Sequence, residues 1–442
     1  MNNCLLKAHW LAIICFGILL LSSTQTAFAY IDVQSVESET GISAWLVEDS
    51  RLPIATINVS WRGGSAVDPE GLEGLTNLMA SLIDEGADDL DSLAFKNEMA
   101  RLGATMRFDV SRDQISANIQ LLTINRADTI SLIAKAINTP RFDEDAVARI
   151  KGEITAYLKF QKQDPATMAK NAWYQRAFMG HGYAHPTSGT ETGLSHIKKD
   201  DIIQHHNLLM ARDNLIVSIV GDMDADTAKS VLDELFGDLP AQAQIRIEPS
   251  PGLQESGSAT IQREGPQTQV FLGLPGIAIN DPDLYAAYVM NHILGGAGLT
   301  SRLMTEVREK KGLTYSISSN LYDLASQPVW ILTFASDNDT VDQALTTVEQ
   351  ELRRISQEPV SEEELHKAKT YLTGSYALRF DSGSSIALSL TGVQLNGWPK
   401  GHFKARNDKI EAVTRDDILR VAQRLLQNKK PLIQFVGNSR LN

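Results

Sequence analysis

The chain has 442 residues, a length that as a prior corresponds to two or three domains of ordinary size. Hydrophobic residues make up 43% and charged residues 21%, a composition that excludes wholesale disorder. The formal charge of −13 argues against nucleic acid as the main partner, because phosphate binding depends on clustered Lys and Arg. Both cysteines, Cys4 and Cys15, lie near the start, which excludes a disulfide framework, a zinc ribbon and a catalytic thiol elsewhere.

The first 29 residues have the pattern of an export signal. Lys7 gives a basic start, residues 11–21 are all apolar or glycine, and residues 27–29 (Ala-Phe-Ala) form a small-x-small cleavage pattern. This apolar stretch is shorter than the ~20 residues that span a bilayer, and no cysteine follows it that could carry a lipid. We expect cleavage after Ala29, a periplasmic location and no stable membrane anchor.

Two sections of the chain repeat the same order of predicted elements. A strand before Asp68-Pro69 and a strand before Asp281-Pro282 each lead into a helix, and these Asp-Pro pairs are 213 residues apart. Each section continues with two strands of alternating polarity and then an acidic helix start. A period this long is typical of a duplicated domain rather than a solenoid.

The patterns predict an α+β fold of two homologous domains, each an antiparallel-rich sheet packed with helices. We predict a first domain at 30–239, a linker rich in Pro, Gly, Ser and Gln at 240–265, and a second domain at 266–442. Alternating polarity disfavours a regular wound βαβ sheet. No glycine-rich phosphate loop is present, so a nucleotide-dependent enzyme is not supported.

Residues 63–75 (GGSAVDPEGLEGL) resemble the entry to the catalytic helix of the pitrilysin/insulinase family of zinc metallopeptidases. In that family His-x-x-Glu-His follows, and a third ligand, Glu, comes some seventy residues later. The resemblance runs along nearly the whole mature chain and includes residues 138–142, 185–186, 216–222, 295–296 and 301–303. It implies that the two domains form half of a clamshell.

The zinc motif itself is degenerate. Asn77 and Ser81 stand where the family has its two His ligands, and Ala80 stands at the general-base Glu. Glu153, on a predicted helix over 143–161, matches the third ligand, but a lone carboxylate does not hold zinc, and a solvated helix carboxylate is the alternative interpretation. Zinc peptidases need imidazole ligands and a carboxylate that activates water, so we expect no zinc in this chain. The neighbouring helix positions predict an apolar stripe toward the core: Leu75, Leu78, Met79, Leu82, Ile83.

Three other polar clusters are interpreted as ordinary surface features. His181 and His185 are four residues apart but flank a predicted loop, which does not assure the helical geometry of a zinc pair. His205 and His206 are adjacent, and adjacent side chains on a helix point about 100° apart. The third cluster is predicted to be a solvated acidic turn: Glu85, Asp88, Asp89, Asp91.

Residues 301–315 (SRLMTEVREKKGLTY) closely resemble the family's C-terminal signature, in which an Arg and a Tyr reach toward the zinc site of the other half. Here these residues are Arg308 and Tyr315. We place Arg308 in the last turn of a helix, Gly312 at a left-handed cap and Tyr315 at the start of a strand. The alternative is that Arg308 only offsets the helix dipole and Tyr315 only packs on a sheet.

A missing metal set beside a retained Arg/Tyr pair implies the non-zinc-binding subunit of a periplasmic two-subunit metallopeptidase. The resemblance implies a homologous partner that carries His-x-x-Glu-His and zinc, peptide substrates, and no activity in this chain alone. Two alternatives stay open. One is an inert peptide-binding or scaffold subunit of the same fold; the other, which has the least support, is a stand-alone hydrolase with an unrecognised site.

Overall fold

The computed structural model describes residues 32–250, 252–253, 256–324 and 327–438. The predicted export signal lies outside these residues. Within them, none of the helices combines the length and the apolar character needed to cross a membrane. Residues from Val33 onward belong to one compact unit, and this unit contains two large sheets.

The first sheet has six strands in the order β1-β2-β8-β3-β7-β6. Its strands and the small two-stranded ribbon β4–β5 are β1 Gln34–Glu37, β2 Ser43–Glu48, β3 Ile54–Arg62, β4 Gly86–Ala87, β5 Leu90–Asp91, β6 Thr105–Val110, β7 Gln114–Leu122 and β8 Leu215–Gly221. Only β2 and β8 pair in parallel; the other pairs are antiparallel.

The second sheet has five strands in the order β11-β12-β10-β13-β9. They are β9 Gly257–Gln262, β10 Gln267–Pro275, β11 Ile317–Leu324, β12 Gln327–Asp337 and β13 Leu432–Gly437. Only β13 and β9 are parallel. From β9 to β11, the second sheet has the order β9-β13-β10-β12-β11, which corresponds strand for strand to β2-β8-β3-β7-β6 of the first sheet. The strand directions also correspond, with the single parallel pair at the same end. The predicted α+β fold and its duplication are therefore confirmed, although β9 occupies six residues of the predicted linker.

The helices of the first half are α1 Leu75–Ala80, α2 Ser92–Leu102, α3 Arg126–Asn138, α4 Glu144–Gln161, α5 Pro165–Ala177, α6 Glu191–His196, α7 Lys199–Leu209 and α8 Ala225–Phe236. Those of the second half are α9 Leu284–Asn291, α10 Val341–Gln357, α11 Glu362–Gly374, α12 Gly383–Leu395, α13 His402–Glu411 and α14 Arg415–Leu426. Two π-helical segments, His292–Gly296 and Met304–Glu309, follow α9.

Helix starts are fixed by side chains that the sequence supplies at the N-cap. Asp164 accepts from the amide of Thr167 with Pro165 in the first turn, and Ser361 and Glu364 form a capping box at α11. Such caps satisfy amides that have no partner inside the helix.

Each sheet buries one face under helices of its own half. In the first sheet this face includes Ile57, Val59 and Trp61 of β3; in the second it includes Leu272 of β10 and Trp330 of β12. The predicted burial of the stripe is confirmed, because its five residues are at most 2% exposed, but α1 ends at Ala80, so Leu82 and Ile83 lie in the turn that follows it. Alternate strand residues point to the opposite face, and that face is covered from the other half.

Two helices cross between the halves. Helix α5 of the first half packs on β10 and β13, where the indole Nε1 of Trp173 donates to the carbonyl of Leu432 at 2.9 Å. Helix α12 of the second half packs on β3 and β8, where Thr391 donates to Ser218 at 2.9 Å. The two sheets therefore exchange covering helices.

Candidate functional site

A partly buried carboxylate fixes the entry to α1. The two oxygens of Asp68 accept from the amide of Gly74 at 2.7 Å and from the amide and hydroxyl of Thr76 at 2.8 and 2.6 Å. Burial raises the pKa of Asp68 to about 6, and these hydrogen bonds only partly oppose the rise. The Asp-Pro pair that marks the resemblance thus acts as a cap on α1.

The histidine pair on α7 is buried, so the prediction of surface histidines was wrong for it. Nε2 of His205 lies 2.8 Å from the hydroxyl of Thr76, and Nε2 of His206 lies 2.8 Å from the carbonyl of Ile137. Burial lowers the pKa of His205 to about 4 and also lowers that of His206. Both imidazoles therefore form hydrogen bonds that stabilise the fold. The signal that sequence reasoning missed is the buried stripe of α7, which also includes Ile202 and Leu209.

His181 is likewise engaged with the backbone. Its Nδ1 accepts from the amide of Tyr183 at 3.1 Å, and its Nε2 lies 3.1 Å from the carbonyl of Glu248. The segment up to His185 is a loop with one 3-10 turn, as predicted.

The degenerate face of α1 carries little polar chemistry. Ala80 is 2% exposed and belongs to the core. The hydroxyl of Ser81 donates to the carbonyl of Asn77 at 2.8 Å, which closes the helix after only six residues. Asn77 itself is partly exposed. The three positions where the family carries its His, Glu and His thus present an amide, a methyl and a hydroxyl that is already hydrogen-bonded to the backbone.

An ionic cluster replaces the predicted solvated acidic turn next to α1. Glu85 is only 5% exposed, so that prediction was wrong for this residue. It accepts from Lys96 at 2.6 Å and is also bonded to Ser92 and Arg149. Burial alone would raise the pKa of Glu85, but the hydrogen bonds from Lys96 and Ser92 hold it below its usual value.

The other acidic residues of this segment behave differently. Asp88 pairs with Lys135 at 2.7 Å, Asp91 caps α2 through the amide of Ala94, and Asp89 is exposed. Only these members of the cluster lie at the surface, as predicted.

Glu153 is paired rather than free. Its carboxylate lies 3.1 Å from Arg149, which also binds Glu85, and 60% of its side chain is exposed. Arg149 and Lys96 were missed by the sequence reading, although the i,i+4 spacing of Arg149 and Glu153 on α4 was a visible signal.

These residues do not fit a zinc ion. Glu153 already forms an ion pair with the guanidinium of Arg149. The amide of Asn77, the methyl of Ala80 and the hydroxyl of Ser81, which is hydrogen-bonded to the backbone, are not zinc ligands. Within the part of the chain that the structure describes, no three His, Cys, Asp or Glu side chains are close enough to hold a metal.

The Arg/Tyr motif has a different geometry. The guanidinium carbon of Arg308 lies 5.2 Å from the ring centroid of Tyr315, and Tyr315 is 81% exposed. The two side chains thus meet at the surface. Gly312 has φ +63°, in the left-handed region as predicted, and its amide bonds to the carbonyl of Arg308 at 2.9 Å. This turn brings residues seven positions apart together.

One of the two local predictions about this motif was wrong. Arg308 does lie in the last turn of a helix, although that helix is π-helical, whereas Tyr315 lies in a bend two residues before β11 rather than in the strand. Tyr315 therefore does not pack on the sheet, and its hydroxyl faces solvent, where it can donate a hydrogen bond.

Comparison with known proteins identifies the family that the chain resembles. Residues 45–191 match the family model described as "Insulinase (Peptidase family M16)", and residues 196–372 match "Peptidase M16 inactive domain". The chain is 27% identical over 400 residues to "Non-peptidase homolog YmxG" of Helicobacter pylori, covering 87% of this chain and 91% of that protein.

Two further proteins show the range of the similarity. "Uncharacterized zinc protease YmxG" of Bacillus subtilis is 22% identical over 328 residues, with 74% of this chain and 79% of that protein covered. The crystal structure of a peptidase M16 inactive domain from Pseudomonas fluorescens superposes with a TM-score of 0.86 and 25% identity, covering 92% of this chain and 98% of that chain.

Proposed function

The chain belongs to the insulinase (peptidase M16) family, and on that premise we propose that it is the non-zinc-binding subunit of a periplasmic two-subunit zinc metallopeptidase. The single observation that carries this proposal is the exposed Arg308–Tyr315 pair, retained in a chain whose α1 carries no zinc ligands. The site would act in trans, on a peptide bound at the zinc of a homologous partner.

The chemistry of the pair suits this role. A tyrosine hydroxyl can stabilise the oxyanion that develops on a peptide carbonyl, and a guanidinium can hold a carbonyl or carboxylate of the substrate by a charge-assisted hydrogen bond. In the described part of the chain, Arg308 has no ion pair and Tyr315 makes no hydrogen bond through its hydroxyl. Both groups are therefore free for a substrate.

The test is reconstitution with a partner. The mature chain is co-expressed with an exported relative that carries an intact His-x-x-Glu-His, preferably one encoded next to it, and peptide turnover and zinc content are measured. Tyr315→Phe removes one hydroxyl and should lower kcat by ~10²-fold or more. Arg308→Ala should raise KM, since it removes an anchoring hydrogen bond.

Matched controls come from the second half of the chain. Tyr371 is 62% exposed and stacks on His292, so Tyr371→Phe removes an exposed hydroxyl of the same kind and should leave kcat unchanged. Arg353, which pairs with Glu349 on α10, gives the control Arg353→Ala.

The alternative is a catalytically inert peptide-binding or scaffold subunit of the same fold. If the reconstituted complex cleaves peptide equally well with Tyr315→Phe and Arg308→Ala, the pair is structural and this alternative replaces the proposal. The chain purified alone should carry well under one zinc per chain and cleave no peptide. Stoichiometric zinc that is lost on Glu153→Ala would also contradict the proposal.

A further inference from the structure

A cavity of about 600 Å³ opens to solvent on the second half, between α9, β11, residues 375–380, α12 and α13. Cavities of this size are typical of sites for small molecules or single side chains, in which apolar walls surround a few polar groups. It shares no residue with α1 or with the Arg308–Tyr315 pair.

The cavity exists because α12 presents small residues to it. Ser385, Ser389 and Gly392 follow one another at helical spacing along one face of α12 and line the cavity. The opposite face of α12 is held on the first sheet, where Gln394 donates to the carbonyl of Val217 at 3.1 Å. The helix therefore cannot move into the gap without breaking its contact with the other half.

The walls are aromatic. Two tyrosines of α9 stand one turn apart, and Trp398 stacks on His402 with ring centroids 4.0 Å apart. The aromatic lining residues are Tyr285, Tyr288, Tyr322, Tyr376, Trp398 and Phe403. Flat rings on several sides suit an aromatic or branched apolar group.

A buried cation also lines the cavity. Arg406 is 7% exposed and donates to the carbonyl of Leu372 at 3.1 Å and to Asn407 at 2.9 Å. Its guanidinium lies 4.1 Å from the ring centroid of Tyr376 and 5.7 Å from that of Tyr288. Of the residues that the structure describes, no carboxylate lies within ion-pair distance of Arg406. A buried charge without a counter-charge is costly unless a ligand supplies one.

The remaining charged and titratable groups of the lining leave an excess of positive charge. Arg379 lies exposed on the same lining. Burial and the charges of Lys409 and Arg406 lower the pKa of His402 to about 4, so it is neutral. The carboxylate is Asp323, whose Oδ2 accepts from the amide of Ile279 at 2.8 Å, while its buried Oδ1 has no donor.

We propose that this cavity binds a carboxylate with a bulky apolar body, the carboxylate pairing with Arg406 and the apolar body lying between the tyrosines and α12. The same chemistry is found in a free aryl-alkanoic acid and in the C-terminal residue of a peptide, whose N–H would satisfy Oδ1 of Asp323. This inference does not depend on the proposed function.

The test is isothermal titration of the mature chain with four probes. The small probes are 4-phenylbutyrate and 4-phenylbutyramide; the peptide probes are N-acetyl-Ala-Ala-Phe as the free acid and as the C-terminal amide. Each acid should bind at least ~10-fold more tightly than its amide, because a charge-assisted hydrogen bond is lost in the amide. Tighter binding of the peptide acid identifies a peptide C-terminus as the source, and tighter binding of phenylbutyrate identifies a small acid.

Two variants keep the test decisive. Arg406→Gln should abolish the preference for acid over amide, but it also removes structural hydrogen bonds. Gly392→Leu places a side chain in the cavity, and a Cβ at Gly392 meets no atom within 4 Å, so the variant should fold and lose affinity by ~10-fold or more. Gly152→Leu, on α4, is the matched control, since a Cβ there is also unobstructed. Equal binding of acid and amide, no binding of either acid, or unchanged affinity in Gly392→Leu would each overturn the proposal.

Discussion

The two helices that cross between the halves occupy corresponding places in a duplicated fold but use opposite chemistry. Helix α5 meets a sheet face of Phe271, Val329 and Ile331, and its Trp173 fits over Gly273, where a Cβ would lie 2.0 Å from the indole ring. Helix α12 instead packs on strands β3 and β8. Strand β3 carries the buried polar residues Thr56, Asn58 and Ser60, and Ser218 of β8 is hydrogen-bonded to the helix.

The difference shows that two corresponding contacts in a duplicated fold can be stabilised in different ways. The aromatic contact is apolar and closely packed, so it holds the two halves together mainly by burial of apolar surface. The contact of α12 includes hydrogen bonds from Thr391 and Gln394 to Ser218, each of which contributes less to stability. The cavity lies on the opposite face of α12, where Ser385, Ser389 and Gly392 leave room.

The largest expected effect is at the aromatic contact. Trp173 is fully buried and packs against Tyr174, Phe178 and Phe271. Trp173→Ala should lower the free energy of unfolding by about 4 kcal/mol, through lost burial and a cavity. Urea denaturation measures this change. Trp173→Phe, which keeps a ring but loses the bond to Leu432, should cost clearly less; a loss below ~1 kcal/mol for Trp173→Ala would show that α5 does not hold the halves together.

A second prediction contrasts buried titrations in the two halves. Asp68 has a pKa of about 6, raised by burial and by Glu73, so its contribution to stability falls as pH rises from about 4 to about 6. His205 and His402 have pKa values of about 4, lowered from 6.5. Their contributions to stability therefore fall as the pH falls from about 6.5 to about 4. In the first half the shifts of Asp68 and His205 oppose each other, and in the second half the pKa of Glu351, raised by burial, opposes that of His402.

Asp68→Asn should therefore steepen the loss of stability between pH 6.5 and pH 4, by on the order of 3 kcal/mol. His402→Gln should make the same slope shallower. The measurement is denaturant unfolding as a function of pH, and the slope, not the value at one pH, is the readout. An unchanged slope in Asp68→Asn would mean that this carboxylate is not desolvated in solution.

A smaller effect is expected at the hydrogen-bonded contact. Thr391→Val keeps the shape of the side chain and removes its bond to Ser218, which retains Gln394 as a partner at 2.9 Å. The expected loss in the free energy of unfolding is about 1 kcal/mol. Thr346→Val, at an exposed threonine of α10, serves as the control and should change stability by less. A loss as large as that of Trp173→Ala would remove the contrast between the two contacts.

The smallest effect tests the empty space beside α12. Gly392→Ala should raise the free energy of unfolding by about 0.5–1 kcal/mol, because alanine restricts the unfolded chain and its methyl meets no obstacle. Gly152→Ala, inside α4 and equally unobstructed, should give a similar gain. Thermal unfolding measures both. A loss of stability in Gly392→Ala alone would indicate that α12 closes onto the cavity.

Much of the fold could be predicted from the sequence, because the Asp-Pro pairs, the alternating strands and the acidic helix starts recur at a fixed offset. The apolar stripe of α1 followed from helical periodicity. The exchange of α5 and α12 could not be predicted, since periodicity shows that a face is buried but not which element covers it. Likewise, the burial of His205 and Glu85 depends on partners such as Thr76 and Arg149 that are 129 and 64 residues away.

The exchange of covering helices also sets the order in which the chain can mature. Trp173 is synthesised 259 residues before Leu432, the residue of β13 that accepts its hydrogen bond. Until β13 has been synthesised, the aromatic surface of α5 that packs on it stays uncovered. The polar face of the first sheet likewise stays uncovered until α12 has been synthesised. A chain that stops before residue 432 would therefore expose an apolar patch on a first half that is otherwise folded. Chaperones and proteases that bind exposed apolar surface would recognise such a truncated product by this patch.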